Sequence, residues 1–350
     1  MQQAAVRVSI IVPVYNDATN LSECLAALKA ADIPGCELIV VDDASTDHSP
    51  AVARLAGAST IRLEQNSGPA AARNRGAAAA RGEILFFVDA DVAVAPDAIR
   101  RVDAAFSDDP RLGAVFGSYD AAPRAPGMVS QYRNLLHHFV HQHGDPDAST
   151  FWAGCGAVRR ACFTEVGGFD AGRFRRPAIE DIELGHRLRR LGYRILLDKR
   201  LQGKHFKAWT LYSVVKTDIV SRAVPWSLLV LERGGAPNDL NLKRGQRVSG
   251  LLVLLAAAAM LLAPLHPRLL AVSAGALGAV VALNWPLYRF FLARRGPWFL
   301  ARALPLHWLY YLYSSLTYLV IWGVVRARRL APASTPRAER DERGATRPAR

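Results

Sequence analysis

Residues 83–92 read EILFFVDADV, an apolar run that stops abruptly at two aspartates one residue apart. A β-branched and aromatic run of this length predicts a strand buried on both faces. Working outward, VRVSIIV (6–12), CELIVVD (36–42), STIRL (59–63) and LGAVFG (112–117) have the same character. Between them Leu21, Cys24, Leu25 and Leu28 fall at helical spacing, 70–80 is rich in alanine, and 96–106 opens with proline at a helix start. Strands alternating with helices predict an α/β fold, a mostly parallel sheet with helices on both faces. Such sheets bind ligands beyond the carboxyl ends of their strands. Three of those ends carry polar clusters: Tyr15 with Asn16, Asp42 with Asp43, and Asp89 with Asp91.

Clustered carboxylates repel one another unless water, a cation or hydrogen-bond donors keep them charged. Asp89 and Asp91 emerge where a hydrophobic strand meets the ligand crevice. Hard divalent cations prefer carboxylate oxygens, and Mg or Mn commonly binds through one or two carboxylates together with substrate phosphates. A diphosphate held through a metal is one reading of this pair; a turn or helix-capping role is the other. Asp181 sits near the start of a helix expected over 180–191, where a carboxylate also stabilises the helix dipole. The interval between the first strand and helix, PVYNDATN (13–20), contains no glycine, which argues against the GxGxxG loop of a dinucleotide-dependent oxidoreductase.

Several short patterns occur in one order: PVYN (13–16), VVDDASTD (40–47), NSGPAAARNRG (66–76), FVDADV (87–92), GGFD (167–170) and IEDIELGHRLRRLGYRI (179–195). Together they resemble the family two nucleotide-sugar glycosyltransferases of the GT-A fold, over about residues 6–206. The resemblance implies that Asp43 contacts the nucleotide base in a pocket lined by Pro13 and Tyr15, and that Arg73 lies near the nucleotide and its phosphates. It implies further that Asp89 and Asp91 hold Mg or Mn and the diphosphate, with His205 approaching the same metal. Asp181 matches the catalytic base of inverting members, with Glu180 orienting it or an acceptor hydroxyl. The chemistry agrees, because an attacking hydroxyl must lose a proton to a carboxylate placed opposite the leaving diphosphate. The processive polysaccharide synthases of this family carry QxxRW before their membrane channel; here the comparable stretch is Arg222-Ala-Val-Pro-Trp226, which disfavours processive extrusion.

The remainder of the chain changes character. Three stretches, 248–265, 269–288 and 303–325, are 18, 20 and 23 residues long without Asp, Glu, Lys or Arg, and a hydrocarbon core is spanned by about 17 to 25 residues. Residues 207–233 mix aromatic and basic residues, as in a helix lying among lipid head groups. The expected division is a catalytic domain at 1–206, an amphipathic interface region at 207–246, transmembrane helices at 247–326 and a disordered basic tail at 327–350. Lys243, Arg244 and Arg247 before the first two runs and Arg289, Arg294 and Arg295 after them place both flanks, and the catalytic domain, in the cytosol of an inner or cytoplasmic membrane. The third run, followed by Arg326, Arg328 and Arg329, is expected either to cross against that rule or to be re-entrant or interfacial.

The net charge of +14 suits anionic lipid more simply than nucleic acid, because much of it flanks the hydrophobic runs. The partners expected are therefore a nucleotide-sugar donor, a lipid or lipid-linked acceptor and the membrane surface. Alternatives are a polyprenyl-phosphate glycosyltransferase that needs no strong base, and an inactive membrane scaffold of the same shape. Four cysteines without CxxC spacing read as reduced thiols. Among the histidines at 137, 138, 141 and 143, His137 and His141 share a helix face, and a solvated or acceptor-facing surface is expected there.

Overall fold

The structure, a computed structural model, describes residues 6–31, 34–233 and 243–330. β1 (Val8–Val14), β2 (Cys36–Asp42), β3 (Ser59–Arg62) and β4 (Ile84–Val88) run parallel, as their alternation with helices requires. The sheet is completed by β5 (Val92–Val94), β6 (Leu112–Tyr119), β7 (Cys155–Arg159) and β8 (Arg194–His205), in the order β3-β2-β1-β4-β7-β6-β8-β5. β7 runs antiparallel to β4 and β6, and β5 antiparallel to β8.

Successive strand residues point to opposite faces, and the sheet is covered on both. Phe86 enters one core with Leu21, Leu25 and Leu28 of α1 (Ala18–Ala30), ahead of the short α2 (Ser49–Leu55). Its neighbour Phe87 enters the opposite core with Ala72 and Ala77 of α3 (Pro69–Ala79). α4 (Ala98–Asp108) joins the first face through Ile99, Val102 and Phe106. α6 (Arg160–Glu165) and α7 (Glu180–Arg190) join the second through Phe163, Leu184 and Leu188, while α5 (Met128–Gln142) precedes them in the chain. Truncating a buried phenylalanine such as Phe86 costs about 3–5 kcal/mol.

The region after β8 forms α8 (Leu211–Lys216), a π-helical turn at Thr217–Ala223 and α9 (Val224–Arg233). Its inner side packs on the sheet domain, where Leu229 joins Phe174 and Ile179. Tyr212 and Val220 on its outer side are exposed. It thus has one face docked and another exposed.

α10 (Arg244–Leu262) and α13 (Pro297–Leu330) are each long and apolar enough to cross a membrane. The second hydrophobic run is not one helix. α11 (Leu269–Leu283) and α12 (Trp285–Arg295) meet at a 72° bend, so this pair, rather than the third run, is the broken or re-entrant element. The sequence Asn284-Trp285-Pro286 places proline in the first turn of α12, where it starts a helix but disfavours continuation of the preceding one. α12 then leans on the sheet domain: Leu287, Tyr288 and Phe291 pack with Tyr132, Leu135 and Leu136 of α5. α13 continues through Leu330, past the point where the tail was expected to begin. The rest of that tail, 331–350, lies outside the described residues.

Candidate active site

The site forms where the parallel strands end. Val14 pairs with Asp42 in register, so Tyr15, Asn16 and Asp43 leave the sheet side by side. Both oxygens of Asp43 accept backbone N–H groups, Oδ1 from Ser67 at 2.7 Å and Oδ2 from Gly68 at 2.8 Å, which clamps the loop ahead of α3. Gly68 has φ +87°, and a Cβ there would lie 2.3 Å from the carbonyl oxygen of Arg175. Only glycine meets both demands. Asp43 lines a cavity together with Pro13 and Tyr15.

Asp89 and Asp91 follow β4 but face different partners. Asp89 Oδ1 accepts from Arg73 Nη2 at 2.7 Å, whereas Asp91 Oδ2 lies 3.4 Å from His205 Nε2. Burial disfavours charge on Asp91, but the His205 hydrogen bond and the positive charges of His205 and Lys207 outweigh it and hold the carboxyl below its usual range. His205 stacks on Tyr119 at 4.1 Å, and Tyr119 in turn lies against His137. No group of three or more His, Cys, Asp or Glu side chains placed to hold a metal occurs among the described residues. Asp91 and His205 nevertheless fit Mg or Mn as a pair of protein donors, because such ions complete their shell with phosphate oxygens and water.

Arg73, expected near the nucleotide, is buried and already bonded at both terminal nitrogens. Its Nη1 donates to Glu180 Oε1 at 2.9 Å opposite the contact with Asp89, and its Nε is buried without a partner. Glu180 also accepts from the Ala178 N–H at 2.8 Å. Both contacts hold Glu180 in place where it lines the cavity.

Asp181 occupies the first turn of α7 and lines the cavity. Its oxygens accept from the N–H groups of Ala153 and Ile182 at 3.1 and 2.8 Å. Gly185 one turn later lets α7 approach the 150–151 backbone, since a Cβ there would meet the Phe151 nitrogen at 2.4 Å. Burial and the adjacent Glu180 charge push the Asp181 carboxyl up to about 7, against the pull of Arg73. A carboxylate poised near neutrality can take a proton from a hydroxyl.

Of the four histidines at 137, 138, 141 and 143, His143 is exposed while His137 and His141 line the cavity. Nδ1 of His138 and of His141 lies 2.8 Å from the carbonyl oxygens of Tyr119 and Gly117 respectively, and both side chains are buried. The four cysteines are free thiols.

With this geometry in place, the chain can be set beside known proteins. Residues 9–167 match the family described as "Glycosyl transferase family 2". The chain carries a glycosyl transferase family 2 domain. Relatives of this domain include the putative glycosyltransferase EpsH of Bacillus subtilis, 37% identical over 94 residues, 26% of this chain and 27% of that protein. The succinoglycan biosynthesis protein ExoO of Rhizobium meliloti is 36% identical over 98 residues, 27% of this chain and 28% of ExoO. The chain thus spans little more than a quarter of the length of these curated relatives. Among solved structures, the mannosyltransferase PcManGT of Pyrobaculum calidifontis, in complex with GDP-Man and Mn2+, superposes with a TM-score of 0.55 at 22% identity, covering 89% of this chain and 87% of that one. That likeness establishes the GT-A-type fold around the family 2 domain.

Sequence reasoning missed how the cavity is closed. Arg133, Trp209, Asp218 and Arg222 line it together with Tyr310 of α13. The signal available was a set of charged residues on otherwise amphipathic segments.

Proposed function

We propose that this chain is a membrane-anchored, non-processive inverting glycosyltransferase that moves a sugar from a nucleotide-sugar donor to a lipid or lipid-linked acceptor. One observation carries the reading. A single cavity of about 1290 Å³ is lined at one end by Asp43, Asp91 and Asp181 and at the other by Trp226, Leu251 and Leu319 from α9, α10 and α13. A donor site that opens between helices apolar enough to enter a bilayer suits an acceptor that never leaves it.

In this reading Asp43, Pro13 and Tyr15 border the nucleotide, and Asp91 with His205 holds a divalent cation on the diphosphate. When bound, the ion neutralises charge developing on the leaving group. Asp181 accepts the proton of the attacking hydroxyl as its oxygen bonds to the anomeric carbon. The sugar's bond to the diphosphate breaks on the opposite side, and the electron pair leaves with the nucleoside diphosphate. Glu180 and Arg73 keep Asp181 and Asp89 in place. The solved mannosyltransferase of the same fold holds GDP-Man and Mn2+, which supports a donor and metal of this class. The catalytic domain faces the cytosol of a bacterial-type inner membrane, where nucleotide sugars are made.

The test is transfer by the full-length protein in bilayers, with Mn and a panel of radiolabelled nucleotide sugars. Label should enter the organic-extractable fraction with one donor. Label confined to water-soluble products would reject a lipid acceptor, and failure to bind any nucleoside diphosphate would reject the transferase reading itself.

A further inference from the structure

The cavity is divided by charge. Six of its seven lining carboxylates belong to residues 17–181, whereas five of its six Lys and Arg side chains belong to residue 133 or beyond. The acidic half serves metal and base; the basic half lies beside the membrane helices.

At the centre of the basic half, Asp218 in the π-helical turn is 3% exposed. Its Oδ1 accepts from Arg133 at 2.7 Å and from Arg222 at 3.0 Å, and its Oδ2 accepts from the Tyr313 hydroxyl at 2.6 Å. Two guanidinium groups share one carboxylate, so the cluster keeps a net positive charge. Among the described residues Arg222 is bonded only through Nη1, and its side chain is 42% exposed where it lines the cavity. π-helical turns concentrate at functional sites because the extra residue per turn displaces side chains from their regular stacking.

Two orphaned polar atoms point the same way. Trp209 Nε1 is a buried donor without an acceptor, and Asn134 Oδ1 a buried acceptor without a donor. Both residues line this cavity. Leaving such groups unpaired carries a desolvation cost, which a ligand offering both an anionic oxygen and a hydroxyl would offset.

We propose that Arg222, Arg133 and Trp209 form an anion site in the basic half of the cavity, and that the acceptor is a hydroxyl-bearing head group joined to its lipid through phosphate. The hydroxyl half rests on the glycosyltransferase reading; the anion site does not. A bare lipid phosphate would bring an ionised nucleophile with no proton for Asp181 to remove, and a neutral lipid would leave the cationic cluster unmatched. A phosphate-linked hydroxylated head group satisfies both ends of the cavity. Arginine is suited to the phosphate because its fork of N–H groups matches two oxygens.

The test uses full-length protein in phosphatidylcholine nanodiscs with EDTA, which keeps phosphate from binding through metal at the donor site. Geranylgeranyl phosphate should bind at least about tenfold more tightly than geranylgeraniol, the order expected of one charge-assisted contact. Arg222→Gln should remove most of that preference, and Arg222→Lys should retain part of it. A preference for nanodiscs doped with phosphatidylinositol, abolished by Arg222→Gln, would support the same site with a glycerophospholipid as its source. Equal affinity for the phosphate and alcohol together with indifference to phosphatidylinositol, or preferences that survive Arg222→Gln, would overturn the site. Nucleoside diphosphate titration of the same wild-type preparation with Mn separates the two claims. If it shows no binding while the phosphate preference persists, the transferase reading fails and the anion site stands.

Discussion

Arg73 and Glu180 meet at 2.9 Å although 107 residues separate them, and both are buried. The contact joins α3 to the first turn of α7, and through the second arm of Arg73 it reaches Asp89 at the end of β4. One guanidinium therefore fixes Asp89 relative to the helix that bears Asp181.

Replacing Arg73 by Leu should lower stability by about 3–5 kcal/mol, because it strands two carboxylates in a site built around their counter-charge. Denaturant unfolding of the detergent-purified protein measures this. A loss below about 1 kcal/mol would mean that water replaces the guanidinium and that the link is dispensable.

With the Asp181 carboxyl at about 7, transfer should fall as pH drops below neutrality, since the base must be ionised. Glu180→Gln removes a negative neighbour that raises this carboxyl and frees Arg73 to lower it, so the acidic limb should move to lower pH. A limb that stays put or moves upward would contradict the arrangement. Asp181→Asn should cost about a hundredfold to ten-thousandfold in rate with donor affinity retained. It should also raise the melting midpoint at pH 8 more than at pH 5, because a carboxylate raised by burial destabilises the fold only when charged. Equal shifts at both pH values would show that Asp181 titrates as an ordinary surface carboxylate.

For Asp91→Asn the expected outcome is loss of Mn-dependent donor turnover with the fold intact, the amide keeping the shape but not the charge. Unchanged rate and Mn response in the variant would remove Asp91 from the site.

Gly68→Ala places a methyl group 2.3 Å from a backbone carbonyl at a positive φ, so the loop held by Asp43 must shift. Nucleotide affinity should fall about tenfold or more if that loop borders the donor. Titration with the cognate nucleoside diphosphate decides it, and wild-type affinity would detach the Asp43 loop from donor binding.

Much of this site was legible because strand ends are readable: the apolar runs before Tyr15, Asp43 and Asp89 end at the crevice, and the pattern around Glu180 and Asp181 matched a known order. β5 and β7 were harder to read. Val92–Val94 is three residues long, and Cys155–Arg159 contains glycine and pairs antiparallel out of chain order. The fate of Arg73 was hidden for another reason, since no local spacing reveals that two distant carboxylates will claim one guanidinium. The break at Asn284 was signalled by Pro286 but masked by unbroken hydrophobicity, which reports solvent preference and says nothing of direction.

That bend has a mechanical consequence. α11, at about 1.5 Å per residue over 15 residues, reaches about 22 Å, and the chain then turns 72° so that α12 clasps α5. The sheet domain is thereby held by its own flank through α5 as well as through its chain connection. Asp181 stands at one working height, like a tool clamped to a bench. For the lipid acceptor proposed above, selection would then rest on how far its hydroxyl projects from the point where its lipid ends, so the length of the head group becomes a measured quantity.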